Sequence, residues 1–378
     1  MKIGIMTFWW SEDNYGQLLQ CYALQKYLRD QGHDPFLIRY DPRNDYVPTP
    51  LYRKLLKALN PVKLAGYLSL KRRMYLSSKE YTTHNRQFGL FRDTYLKQSE
   101  RIYYSYDELK ANPPQADCYI VGSDQVWNFG SVINKSYLHS YLLDFGNNKI
   151  KRLAYAASFG STEIGKIASA EITELLKRFD MVSLREQSGV QQCDDLGINS
   201  VLVCDPTLLL GQNDWDKLEA NCIKHTQKYI FVYMLENTCN FSLKKLAEWA
   251  AKYKLEIIYV TGNRGYKKVN FSDSQQKKSY LTISEWIYYL KHAEYVITNS
   301  FHCCVFSLIY HKKSGVVLLA GTLQKSNDRI ISLFRNLKVC LTQIKDNDFN
   351  LLLHNTVPVV DTEFIEMSKR LLLSVLKN

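Results

Sequence analysis

The hydrophobic positions of this chain follow two periods that take turns along its length. Short apolar runs rich in β-branched and aromatic residues stop abruptly at polar or small residues. Longer stretches repeat apolar positions every three or four residues. The first pattern reads as buried strand and the second as amphipathic helix. Lys2–Phe8 is a run of the first kind. The polar loop Trp9–Gln17 follows, and then Leu19, Ala23, Leu24, Tyr27 and Leu28 mark one face of a helix that Gly32 ends. Phe36–Tyr40 is the next strand. A β-loop-α-β unit of this kind requires parallel strands and a right-handed crossover.

The alternation returns at Cys118–Val121, which runs into Gly122-Ser123-Asp124-Gln125-Val126-Trp127-Asn128. Leu153–Ala157 ends in Ser158-Phe159-Gly160, Met181–Leu184 in Arg185-Glu186, and Val201–Val203 in Cys204-Asp205-Pro206-Thr207. Open α/β sheets bind ligands at the C-terminal ends of their strands. Four successive strands that deliver polar residues there read as a shared rim. Leu208–Asp214 reads as a linker. Beyond it the pattern restarts with strands at Tyr229–Met234, Glu256–Thr261, Tyr295–Thr298 and Gly315–Leu319 and helices around Leu243–Tyr253, Ile283–Leu290, Phe301–Tyr310 and Asn327–Leu337. The expected architecture is two α/β domains, residues 1–208 and 209–378, facing a cleft. A final helix over about 363–376 can pack back on the first domain. Pro48–Gln98 interrupts the alternation and reads as two or three basic helices, the first striped by Leu51, Leu55, Leu56 and Leu59. It predicts a helical insertion over about 48–100.

Charge changes this picture in one place. Of a formal net charge of +12, residues 51–101 hold twelve Lys/Arg against three acids. Such a surface attracts phosphates or an anionic membrane face, or is a solvated helical face. No recognised nucleic-acid module surrounds it, so nucleic acid is not expected as a partner. The nine cysteines include no CxxC pair and are odd in number, which reads as reduced thiols of the cytosol. No apolar run approaches a membrane span and the N-terminal strand is not a signal peptide, so a cytoplasmic protein is expected, with the inner membrane face as a place of contact.

The candidate chemistry centres on Asn299-Ser300-Phe301-His302. Asn299 and Ser300 are cap residues between a strand and a helix, where unsatisfied backbone N–H groups suit an anion. His302 lies in the first turn, as acid/base, anion ligand or packed core residue. His302, Cys303 and Cys304 point about 100° apart in succession and cannot converge on one metal, so no metal is expected. Cys303 as a nucleophile lacks the surrounding signature of such a site. Arg185 is either an ion-pair partner of Glu186 or Asp205, or a fork for a carboxylate or phosphate. Asp124 can hold or deprotonate a sugar hydroxyl, or cap a following helix. Asn14, Tyr15, Gly16 and Gln17 form a loop at a helix start that is not GxGxxG, with either a ligand role or a structural one.

Together these segments resemble the polysaccharide pyruvyl transferase family. The resemblance is carried in order by Asp13-Asn14-Tyr15-Gly16 with Leu19–Gln25, by Val121–Asn128, by Ala154–Gly160, by Ser183–Glu186, by Asp205-Pro206-Thr207, by Ser300-Phe301-His302 and by Asn327-Asp328-Arg329-Ile330. The family's usual small residue after the histidine, often Gly, is Cys303 here. The resemblance implies a GT-B-like pair of Rossmann-type domains, the first on the acceptor side and the second on the donor side. It implies transfer of a pyruvyl group from phosphoenolpyruvate, a co-substrate and the only cofactor-like molecule required, to sugar hydroxyls of a cell-surface glycan or its lipid-linked precursor. The family histidine falls on His302 and the family arginine on Arg185. His302 is then expected as acid or phosphate ligand, Arg185 and Arg329 as anion clamps, and Asp124 as the group that orients or deprotonates the acceptor. Ser123, Gln125, Ser158, Asp205, Asn299 and Ser300 join Asn14–Gln17 as candidate substrate contacts. The rival expectations are a glycosyltransferase with a nucleotide-sugar donor and a non-catalytic part of a glycan-assembly complex.

Overall fold

The structure is a computed structural model and describes residues 1–42, 85–129, 135–160, 166–220, 223, 225–235, 241–262 and 276–377. Among the described residues, twelve strands lie in two parallel sheets. The first sheet has seven strands: β1 (Lys2–Met6), β2 (Asp34–Tyr40), β3 (Gln98–Tyr103), β4 (Cys118–Val121), β5 (Lys151–Ala157), β6 (Met181–Leu184) and β7 (Val201–Leu202), in the order β3-β2-β1-β4-β5-β6-β7. The second has five: β8 (Tyr229–Met234), β9 (Glu256–Thr261), β10 (Gln276–Ser279), β11 (Tyr295–Thr298) and β12 (Lys313–Val316), in the order β10-β9-β8-β11-β12. Both orders reverse direction once, between β1 and β4 in the first sheet and between β8 and β11 in the second. A doubly wound sheet opens a crevice at that reversal, beyond the strand C-termini.

Three of the four strands that flank the reversals are buried along their whole length, as strands covered on both faces must be. All four residues of β4 and of β11 and all six of β8 are buried. One large cluster of buried side chains joins the halves, from Leu18, Leu19 and Tyr22 through Leu208 and Trp215 to Trp286, Phe301 and Phe306.

Two sequence expectations change. The stretch expected to be helical through about residue 100 ends in β3, which pairs with β2 at the sheet edge; a helix covers only Phe88–Tyr95 of its described part. Its alternation is short and carries Glu100 and Arg101 on an exposed edge, so helical periodicity was easy to read into it. The Leu51–Leu59 stripe lies outside the described residues. The segment expected as a linker, Leu208–Asp214, carries structure of its own: Pro206–Leu209 forms a 3-10 turn, Gln212–Asp216 a helix, and Leu208, Leu209, Leu210 and Trp215 are buried. The C-terminal helix Glu363–Lys377 lies against the first sheet, where Ser368 Oγ accepts from the Cys204 backbone N–H at 3.0 Å and Val375 O accepts from Lys151 Nζ at 3.0 Å.

Candidate functional site

The corner after β11 is built by three hydroxyl and amide bonds. Thr298 donates to Tyr233 O at 2.6 Å and accepts from Ser300 N–H at 3.0 Å, and Ser300 caps the Phe301–Ile309 helix by accepting from Cys303 N–H at 3.4 Å. Asn299 Oδ1 accepts from Leu235 N–H at 2.8 Å, which ties the loops after β8 and β11 across the crevice. His302 leaves this corner toward the first domain. There it meets the start of the Tyr15–Asp30 helix: a Cβ on Gly16 would stand 2.1 Å from His302 Nδ1. Gly16 is glycine because an imidazole occupies the place of its side chain.

Asp205 organises the opposite wall. It caps the Pro206–Leu209 turn, its Oδ1 accepting from Thr207 N–H at 3.0 Å and Thr207 Oγ1 at 2.7 Å. Its Oδ2 accepts from Ser123 Oγ at 2.7 Å and Arg185 Nη1 at 2.9 Å and lies 3.6 Å from His302 Nε2. Arg185 Nη2 reaches Asp124 Oδ1 at 3.2 Å, so one guanidinium spans two carboxylates, and its plane lies 4.3 Å over the ring of Phe301. Asp124 does not cap a helix. It sits at φ 71° in an isolated bridge to Ala157, a conformation that aspartate tolerates better than most residues.

All of these groups are buried, with Arg185 3%, Asp205 1%, Asp124 5% and His302 5% exposed, so their charges act in a medium that screens little. Burial opposes ionisation of Asp205, but His302 and Arg185 outweigh it and hold the carboxyl far below its ordinary range. Burial likewise opposes the Asp124 charge, and Arg185, His302 and Arg329 bring its carboxyl below the ordinary value. Arg185 keeps its proton more firmly than usual, because Asp124, Asp205 and Glu186 outweigh its burial.

Arg329 approaches from the Asp328–Asn336 helix of the second domain. The Gln125 amide faces that guanidinium, and with its oxygen on that side it accepts from Nη1 at 2.5 Å and Nη2 at 3.0 Å. Burial and then the like charge of Arg185 depress Arg329 to about 10, while Asp124, Glu186 and Asp328 pull the other way. Ser158, fully buried, accepts from Gly160 N–H at 3.0 Å and shapes the same wall.

His302, Arg185, Asp124, Asp205, Ser123 and Gly16 thus come together, and Arg329, Gln125 and Ser158 adjoin them. The other candidates are placed differently. Tyr15 turns into an aromatic cluster, stacked 5.4 Å from Trp286, and its hydroxyl donates to Leu281 O at 2.6 Å. Asn14 precedes the Tyr15–Asp30 helix without capping it through its side chain, and Gln17 is half-buried in its first turn. Asn299 and Ser300 shape the corner. Burial pushes Cys303 up to about 12 and Cys304 above its ordinary value, so neither supplies a thiolate.

Three positions gain importance beyond the sequence reading. Gln20 Oε1 accepts from Ser123 N–H at 3.0 Å while its Nε2 donates to Thr7 Oγ1 at 2.9 Å, which fixes the loop after β4; a wholly buried glutamine on an apolar helix face was the available signal. Phe301 supports Arg185, and nothing in the sequence separates it from a core residue. Glu186, expected as an ion-pair partner of Arg185, is more than that. It is 1% exposed, its Oε2 lies 4.0 Å from Arg185 Nε, and neither oxygen has a hydrogen-bond partner among the described residues. Arg185 Nε and His302 Nε2 likewise lack one. Buried polar groups are nearly always paired, so several in one crevice mark a place prepared for polar ligand atoms. Among the described residues, no group of three or more His, Cys, Asp or Glu side chains is arranged to hold a metal.

The family model described as polysaccharide pyruvyl transferase matches residues 14–318. No curated protein matches the sequence. Among solved structures, the UDP-N-acetylglucosamine 2-epimerase of Rickettsia bellii is similar at a TM-score of 0.55 and 12% identity, over 100% of this chain and 96% of that one. The UDP-GlcNAc 2-epimerases of Methanocaldococcus jannaschii and Neisseria meningitidis each give a TM-score of 0.54, at 11% and 9% identity, over 100% of both chains. These likenesses establish the GT-B-like fold of two Rossmann-like domains.

Proposed function

The chain belongs to the polysaccharide pyruvyl transferase family, and from that premise we propose that it transfers a pyruvyl group from phosphoenolpyruvate to sugar hydroxyls of a polysaccharide or its lipid-linked precursor, forming a pyruvate ketal and releasing phosphate. Membership makes the chain a transferase, and the reading as a non-catalytic assembly component falls. The observation that carries the finer reading is the convergence of Arg185, Arg329 and His302 on Asp124, with Asp205 against Arg185 and His302, all of them buried or half-buried.

Phosphoenolpyruvate presents a carboxylate and a phosphate. Two guanidinium groups and the start of the Phe301–Ile309 helix match those anions. The enol phosphate needs a proton at its methylene carbon. His302 supplies it in this account, with the Asp205 carboxylate 3.6 Å from Nε2 as counter-charge to the imidazolium. The resulting oxocarbenium-like carbon is attacked by a sugar oxygen, whose proton passes to Asp124. Phosphate takes that proton from Asp124 as the carbon–oxygen bond to it breaks, and attack by a second hydroxyl, whose proton returns to the neutral His302, closes the ketal. The first domain presents the acceptor and the second the donor. The basic stretch over 51–101 is suited to hold a lipid-linked acceptor at the anionic inner face of the membrane. Among the described residues no helix is long and apolar enough to cross it.

A nucleotide-sugar donor is the second reading, favoured by the fold shared with enzymes whose names carry UDP-N-acetylglucosamine. A thermal-shift comparison separates the two. Phosphoenolpyruvate at about 100 times its dissociation constant should stabilise the protein by about 2.7 kcal/mol, and UDP-sugars at equal concentration should leave the midpoint unchanged. The reverse ranking would overturn the donor assignment.

A further inference from the structure

We propose that Glu186 is a donor-binding residue that acts in its neutral form: as a carboxylic acid it donates a hydrogen bond to an anionic oxygen of the donor, beside the unpaired Nε–H of Arg185. The inference deepens the phosphoenolpyruvate reading and rests on it. Its ground is geometric. Glu186 follows the last strand-end residue of β6 and is 1% exposed, yet neither carboxylate oxygen has a hydrogen-bond partner among the described residues. It also stands at the cap position of the Gln187–Asp195 helix without capping it. The adjacent guanidinium does not resolve this. Arg185 gives Nη1 to Asp205 and Nη2 to Asp124, and its Nε, 4.0 Å from Glu186 Oε2, is itself unpaired. An unpaired donor and an unpaired carboxyl group, held side by side and too far apart to bond, leave both directed at a third group.

The groups that face Glu186 bias it toward the neutral form, and the negative charge of the donor completes that shift. Arg185 comes from the end of β6, Ser158 from the end of β5, and Arg329 and Asp328 from the Asp328–Asn336 helix across the crevice. Burial raises the Glu186 carboxyl above its ordinary value, and Arg185, the approach of Ser158, and Arg329 offset this only in part, with Asp328 adding to the rise. A donor with a carboxylate and a phosphate brings further negative charge to these arginines, and a third anionic carboxylate beside Asp124 and Asp205 would repel it. A neutral Glu186 removes that repulsion and adds a hydrogen-bond donor where the structure has an unused one.

The test is the pH dependence of phosphoenolpyruvate binding to the full chain, by isothermal titration between about pH 6 and 9. A single linked proton weakens binding about tenfold per pH unit once the free site has lost it. Wild-type affinity should fall in that way toward the alkaline end. Glu186→Gln, which mimics the neutral acid in shape and donor capacity, should bind within about threefold of wild type at the acidic end and keep that affinity as pH rises. A wild-type slope in the variant, or loss of its binding at every pH, overturns the inference. If the variant fails to fold, the infrared difference spectrum of wild type with ¹³C-glutamate decides: a label-shifted carboxylic-acid C=O band on addition of phosphoenolpyruvate supports the neutral form, and its absence refutes it. Failure of wild type to bind phosphoenolpyruvate at any pH would instead bring down the donor reading, and this inference with it.

Discussion

Gly16→Ala is the substitution whose outcome the structure determines most directly. The new methyl would lie 2.1 Å from Nδ1, 2.3 Å from Cγ and 2.8 Å from Cβ of His302. Uncrowded heavy-atom contacts lie near 3.5–4.0 Å, so the ring must retreat by about 1 Å or more. Rotation about the side-chain bonds does not clear the clash, because Cβ of the histidine is itself too close. The start of the Phe301–Ile309 helix must shift, and with it the distance to Asp205. Overpacking of this kind costs about 1–3 kcal/mol. Alanine returns about 1 kcal/mol in a helix interior and less in this first turn, so the net loss of stability stays small. Activity is the sensitive readout: a displacement of about 1 Å at a reacting group costs on the order of 10²-fold. Phosphate release from phosphoenolpyruvate with a glycoside acceptor, measured beside a thermal melt, should show that drop with a midpoint lowered by only a few degrees. Gly211→Ala, where an added Cβ meets nothing within 4 Å, is the control and should match wild type. Turnover of Gly16→Ala within about threefold of wild type would refute the claim that His302 must hold its place.

Asp205→Asn removes the charge that Arg185 and His302 face, and loss of one member of a buried pair costs about 3–5 kcal/mol, readable by urea unfolding. Because the folded-state carboxyl lies below its ordinary 3.8, its stabilisation is complete above that value and is lost as pH falls beneath it. The acid limb of wild-type stability should therefore be steeper than that of Asp205→Asn. Tyr15→Phe should cost about 1–2 kcal/mol by orphaning Leu281 O, and leave turnover nearly intact. A fall in kcat beyond about tenfold would place Tyr15 against the substrate after all.

The corner after β11 was legible because local signals agree there: β-formers in Tyr295–Thr298, a capping serine, and apolar spacing through Ile309. The polar strand ends at Asp124, Arg185 and Asp205 were legible for the same reason. What they do to each other was not. Arg185 was expected to pair with Glu186 or Asp205; it hydrogen-bonds Asp205, adds Asp124, and holds Glu186 in an ion pair at 4.0 Å without a hydrogen bond. The need for glycine at position 16 arises from a side chain in the other domain, which no local pattern can announce. The edge strand Gln98–Tyr103 was missed because an exposed edge need not alternate cleanly.

His302 and its partners are proposed to move a pyruvyl group. The direct measurement is mass spectrometry of a synthetic or lipid-linked glycoside after incubation with phosphoenolpyruvate, alongside phosphate release, for wild type and His302→Ala. The account predicts that wild type adds the mass of one pyruvate less water for each phosphate released. It predicts that the variant, folded by its melting profile, does neither. Near-normal turnover by His302→Ala, or an acceptor that gains a sugar from a nucleotide donor instead, would contradict it.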